Sequence, residues 1–169
     1  MLMSGLESPT NGSIVFDKED LSKINEKRRT EIRRKKIGLI FQQFYLIPNY
    51  TALENVMFPM QINKINNEKE KAISILEDFG LVNRKNNLPS ELSGGEQQRV
   101  AVARALINDP LVVLADEPSG NLDSIAAAQL HQLFFKLRKT YGYTFIIVTH
   151  NEELALMADR KITMSDGKI

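Results

Sequence analysis

The period of the hydrophobic pattern changes several times along the chain, and the changes mark out its elements. Five short runs read as strands: SIVF (13–16), IGLIF (37–41), LVVLA (111–115), YTFIIVT (143–149) and KITM (161–164). The three long ones are rich in Val, Ile and Phe and do not alternate, which predicts strands covered on both faces. Helical periodicity fills the gaps, over roughly 20–34, 52–60, 67–79, 95–107, 124–140 and 151–158. Asn11-Gly12 and Asp166-Gly167 read as turns. Strands that alternate with helices predict an α/β fold, a mainly parallel sheet with helices on both faces. Between Phe41 and Leu111 no strand pattern occurs. Residues 45–104 are therefore expected to form a helical subdomain inserted into a sheet domain made of 1–44 and 105–169.

Composition narrows the class. A length of 169 residues, 43% apolar and 25% charged, suits one soluble domain with a substantial core. The absence of cysteine excludes disulfides, zinc–thiolate sites and a thiol nucleophile. No apolar run approaches the roughly 20 residues needed to cross a bilayer, and the first residues, MLMSGLESPTNG, lack a signal-peptide pattern. A cytosolic location is the simplest expectation. A net charge of +1 argues against a general nucleic-acid binder. One basic cluster, KRRTEIRRKK (27–36), reads first as a solvated helix face and second as a contact for an anionic membrane surface or acidic partner.

Two stretches carry chemistry. In LVVLADEP an apolar strand ends in two adjacent carboxylates, Asp116 and Glu117. Ligands of open α/β sheets bind outside that end of the strands, and paired acids there suit a divalent metal and an attacking water. In LSGGEQQRVAVARAL, Ser93 stands as an N-cap with Glu and Gln in the first turn behind it. Gly94 and Gly95 bring no side chain to block a ligand, and unpaired N–H groups at a helix start attract anions.

These two stretches together, LSGGEQQRVAVARAL and LVVLADEPSGNLD, closely resemble the ATP-binding subunits of ABC transporters. TALENV (51–56) and the Gly-Asn-Leu-Asp ending resemble the subgroup of lipoprotein-releasing, macrolide-export and cell-division ATPases. The resemblance implies a P-loop NTPase-like sheet, ATP and Mg2+ as ligands, and a second ATP-binding subunit in a homodimer. It also implies membrane-spanning permease partners, no nucleic acid, and a peripheral place on the cytoplasmic face of the membrane. Carried onto this sequence, it makes Glu117 the general base and His150 the switch residue near the γ-phosphate. Asp116 and Gln42 would serve the magnesium, and Gln42 also the attacking water. Ser93, Gly94 and Gly95 would grip ATP held by the opposite subunit, and Asp123 would cross the dimer interface. On residue type alone, Gln42 and His150 are ordinary strand-end residues, and Asp123 is equally an N-cap. His131 matches no motif and is expected on a solvated helix face. DNA-repair and chromosome ATPases share the signature, but the interval from Gln42 to Ser93 is too short for their coiled-coil insert.

The phosphate cradle of such enzymes, G-x-x-x-x-G-K-[ST], has no match: only Gly167 precedes a lysine, and Ile162 stands where the first glycine belongs. Ser119, where the subgroup more often has Thr, is a minor departure. LMSGLESPTNGSIVF resembles the end of the P-loop helix, a turn and a strand, so the resemblance places the chain's start, at Met1 or Met3, inside that helix. The first strand, the P-loop and the aromatic that stacks on adenine would then lie outside this sequence. Two functions compete: the catalytic part of an exporter ATPase, or a non-hydrolytic module that lends its Ser-Gly-Gly face to an intact partner. For the 169-residue chain alone, poor solubility and no Mg-dependent ATP turnover are expected; measurable turnover by the purified chain would refute the second expectation.

Overall fold

A computed structural model describes residues 2–63 and 67–169. Met1, the expected start, and residues 64–66 of the expected helical span lie outside the described residues.

After a short 3-10 turn at Leu2–Ser4 comes a short antiparallel hairpin, β1 (Val15–Phe16) and β2 (Glu19–Asp20). Its two turn residues, Asp17 and Lys18, both have positive φ, 47° and 68°. That backbone matches the twist of a tight hairpin. Of the run SIVF only the last two residues are strand. Helix α1 (Glu26–Lys36) is capped by Asn25, whose side chain accepts the Arg28 N–H at 2.9 Å. It begins later than the pattern 20–34 suggests, because the hairpin takes up the first residues. Glu26 in its first turn and Arg33 to Lys36 in its last complement the helix dipole. The basic cluster is mostly paired: Arg28 with Glu19 and Glu31, Arg29 and Arg33 with Glu26, Lys35 with Glu31, and Lys36 with Asp17.

From α1 the chain enters β3 (Ile37–Ile40) directly. Then come α2 (Ala52–Asn63), α3 (Glu68–Asp78), two short 3-10 turns and α4 (Gly94–Leu106), with no strand between β3 and β4 among the described residues. β4 (Val112–Asp116), α5 (Ser124–Tyr141), β5 (Phe145–Val148) and α6 (Glu152–Leu156) complete the order. The sheet is parallel, ordered β3-β4-β5, with Ile37 opposite Val112 and Leu114 opposite Ile146.

Alternation along the strands divides the core between two faces. Ile40, Val113 and Ala115 join α2, α3, α4 and α5 in one large apolar cluster. Ile37 and Val112 turn the other way, onto Leu21 and Ile32. That second layer is narrow. Ile146 and Val148 on β5 are 37% and 62% exposed, so the third apolar run is not covered on both faces as expected. β5 also pairs with no strand on its outer edge among the described residues. The run KITM is not a strand: it lies exposed and without ladder partners, and beyond it only Ser165 and Lys168 form an isolated bridge. An apolar run with no edge to join has nothing to pair its N–H and C=O groups.

Gly38 fixes the spacing between sheet and helix. A Cβ there would sit 2.7 Å from the carbonyl oxygen of Ala105 in α4. Both sides of that contact are backbone, so neither yields cheaply. Gly38→Ala is expected to destabilise the fold by roughly 1–3 kcal/mol through overpacking, read as a lower urea midpoint with unchanged m-value.

Candidate active site

β4 delivers two carboxylates at its carboxyl end. Asp116 is exposed and its side chain meets no hydrogen-bond or ion-pair partner among the described residues. At Glu117 the chain leaves the sheet with φ +44°, a left-handed conformation that costs a glutamate on the order of 1 kcal/mol. Two backbone bonds hold it there: its N–H donates to Val148 O at 2.9 Å, and its carbonyl accepts from Gly120 N at 3.0 Å. The carboxylate turns toward the end of β5. Oε1 accepts the His150 N–H at 2.8 Å and lies 2.7 Å from His150 Nδ1, while Oε2 accepts the Thr149 hydroxyl at 3.2 Å. An ionised carboxylate can only accept, so Nδ1 carries the proton. The His150 side chain is 83% exposed, and its Nε2 meets no partner among the described residues.

Gln42 follows β3 and lies against the turn after Glu117. Its Nε2 donates to Asn121 Oδ1, and Asn121 Nδ2 donates to the Gln42 carbonyl, each at 3.1 Å. A Cβ at residue 120 would stand 2.8 Å from Gln42 Nε2, so Gly120 makes room for this side chain.

The remaining candidates gather at two helix starts. Ser93 caps α4: its Oγ accepts the Glu96 N–H at 3.3 Å, and its own N–H donates to Glu96 Oε2 at 2.8 Å. This reciprocal capping box occupies the Ser93 N–H and leaves the Gly94 and Gly95 N–H groups at the helix start. Asp123 caps α5 by accepting the Ala126 N–H at 2.8 Å. The two starts pack closely, since a Cβ on Gly95 would lie 3.1 Å from Ala126 Cβ. Ser93, Gly94, Gly95, Asn121, Leu122 and Asp123 line one cleft of about 270 Å3.

The structure thus forms two groups, Glu117 with His150 and Ser93–Gly95 with Asp123. The turn Gly120–Asn121, which carries Gln42, lies between them in the chain. No three His, Asp or Glu side chains converge as a metal-holding cluster among the described residues.

The reading of His131 is wrong. It is 4% exposed, and its Nε2 lies 3.0 Å from the hydroxyl of Ser119, itself buried, in the turn after Glu117. Burial pushes the imidazole pKa down, with Glu153 acting weakly the other way. The helical stripe Leu130, His131, Phe134, Leu137 is the signal that would have placed it inside.

A parallel sheet with acids at the end of its central strand, beside a capped Ser-Gly-Gly helix start, defines a nucleotide-binding cassette. The family model described as ABC transporter matches residues 1–120, and the chain belongs to this family. The lipoprotein-releasing system ATP-binding protein LolD of Cytophaga hutchinsonii is 52% identical over 170 residues, covering 99% of this chain and 78% of the relative. LolD of Bacteroides fragilis is also 52% identical, over 99% of this chain and 79% of its own. Among solved structures, the dimeric post-hydrolysis state of the ATP-binding cassette MJ0796, bound to ADP and Pi, has a TM-score of 0.88. It is 39% identical, with 99% of this chain and 75% of that one covered.

Glu96 sets a pH dependence. The Ser93 N–H foremost holds its carboxyl below the ordinary 4.5, with Arg84 adding to this and burial opposing it. A value depressed in the folded state gives stability that is present above 4.5 and lost as pH falls through the folded value. Glu96→Gln is expected to cost about 1 kcal/mol at pH 7. The difference should shrink toward zero below the ordinary carboxylate value, as followed by urea unfolding across pH.

Proposed function

We propose that this chain is the ATP-binding subunit of a lipoprotein-releasing exporter, coupling ATP hydrolysis in a dimer to work done by membrane-spanning permease subunits. The observation that carries this reading is the likeness to the LolD proteins along nearly the whole chain. No described helix is long and apolar enough to cross a membrane, so the membrane part of the task falls to partners. The chain's own place is peripheral, on the cytoplasmic face.

In this reading 1–44 and 105–169 form the ATPase core, and 45–104 the helical subdomain with the signature. Glu117 is the general base. Oε1 already takes two donors and Oε2 only the longer bond from Thr149, so Oε2 keeps a lone pair for the proton of an attacking water. His150 holds Oε1 and turns its exposed Nε2 toward the place of the γ-phosphate. Asp116 offers a hard oxygen that no other group claims. It fits magnesium, which takes one or two carboxylates and otherwise water and phosphate oxygens. When bound, that ion would neutralise phosphate charge. Gln42, steadied by Asn121, reaches toward the same water. Ser93, Gly94 and Gly95 face ATP held by the opposite subunit, with Asp123 beside them at the interface.

A second reading is a non-hydrolytic subunit that contributes only its Ser93–Gly95 face, a helix start complete within these residues. Turnover by the subunit assembly isolated from its own cells separates the two. Glu117→Gln and Ser93→Arg are each expected to lower ATP hydrolysis by about 100-fold or more. Loss with Ser93→Arg alone would assign the module reading, and indifference to both would remove the ATPase reading.

A further inference from the structure

Two side chains of α4 reach out of the helix to the backbone on either side of Gln42. Gln98 is fully buried, and its Nε2 donates to the carbonyls of Phe41 at 3.4 Å and Pro118 at 2.5 Å. Arg104 donates from Nη1 to Tyr45 O at 2.6 Å and from Nη2 to Phe44 O at 2.8 Å. Phe41 precedes Gln42 and Pro118 follows Glu117 in the sequence. One helix therefore grips both loops that carry the proposed water-site groups, and its own first turn is the signature.

We infer that Gln98 and Arg104 are positioning residues, which hold the Gln42 loop and the Glu117 turn at a fixed offset from the Ser93–Gly95 helix start.

The chemistry of the grips supports this. The ladder of β3 ends at Ile40, so the Gln42 loop lies beyond the sheet's own bonding. Arg104 is a charged group without a carboxylate partner among the described residues. Burial presses its pKa downward, yet a guanidinium stays charged. Such a group is held by its forked bonds to two carbonyls, a geometry that a lysine ammonium does not reproduce. Tyr45 adopts φ +46°, a conformation that a tyrosine does not favour unaided. Gln98 leaves its own Oε1 buried without a partner. Its amide is oriented for its two acceptors at the expense of its oxygen. The two anchor points lie about 9 Å apart along the helix axis, from a rise of about 1.5 Å per residue. Gripped at two separated points, the loop has to follow α4 when the helix tip shifts. Engagement at Ser93–Gly95 and the position of Gln42 are then one movement. The catalytic consequence rests on the proposed roles of Gln42 and Glu117; the pinning itself does not.

The chain has no cysteine, so a single spin label at exposed Gln43→Cys reports the loop, and one at exposed Gln132→Cys on α5 serves as control. In the 169-residue chain, Arg104→Lys is expected to convert the label at 43 from a slow to a fast-tumbling spectrum and to leave the label at 132 unchanged. Gln98→Met is expected to do the same at 43. It should also speed hydrogen exchange at the Gly120 and Leu122 amides about tenfold, a shift equivalent to 1.4 kcal/mol, while β4 stays protected. Arg104→Lys keeps charge and bulk, so it decides the matter even if Arg104→Met does not fold. An unchanged label at 43, or equal loosening at 43, 132 and β4, would overturn the pinning. In the native assembly Arg104→Lys should lower kcat with KM unchanged. Undiminished kcat there would overturn the positioning role. If the native assembly turns over no ATP, the function proposed above fails, and the spectra still decide the pinning.

Discussion

The site depends on β4 being paired along both edges. Its neighbours β3 and β5 run parallel to it, and the register carries each ladder up to the strand end, Ala115 against Ile40 and Asp116 against Val148. With Val113 and Ala115 buried on one side and Val112 on the other, a slip of one residue would exchange the side chains of the two layers. Each fully buried valine adds roughly 1.5–3 kcal/mol, and the two ladders add their hydrogen bonds to that term. The acids are where they are because the strand ends there. The bond from Glu117 N–H to Val148 O ties the first residue of the turn to the last residue of β5, just before Thr149 and His150. This brings the Glu117 carboxylate and His150 together without either being buried.

Much of this was legible in the sequence, for a physical reason. A parallel strand covered on both faces is an unbroken apolar run, and IGLIF and LVVLA stand within a residue of the observed β3 and β4. Helix starts were legible through caps, with Ser93 and Asp123 as the clearest cases. What failed was pairing. KITM and β5 have the same apolar character, but a run is a strand only where an edge accepts it and its faces are covered only where another layer reaches. Neither condition is written in the run itself. His131 failed differently: it matches no motif, and its place on the apolar stripe of α5 is what buries it. The ties that cross the fold, Gln98 to Pro118 and Arg104 to Phe44 and Tyr45, leave no local pattern. They join residues far apart in the chain, and only the packing of α4 on β3, permitted by Gly38, brings them within reach.

The electrostatics of the helix-start cleft bear on how labour is divided in an assembly. Two helix N-termini meet there, which by itself favours an anion. Each, however, brings its own carboxylate: Glu96 accepts the Ser93 N–H, and Asp123 accepts the Ala126 N–H. Arg84 offsets Glu96 from the far side. At the start of α4, the N–H groups of Gly94 and Gly95 remain as donors, since the first turn of a helix has no internal acceptors for them. Arg99 lines the same cleft and adds one cationic group to these neutral donors and the two carboxylates. One guanidinium does not balance two carboxylates and a polyphosphate, so in the proposed function most of that charge is met on another surface. In the proposed assembly such a face therefore suits a polyphosphate whose charge is already largely met elsewhere, because the capping box of α4 and the Asp123 cap keep two carboxylates beside the donors.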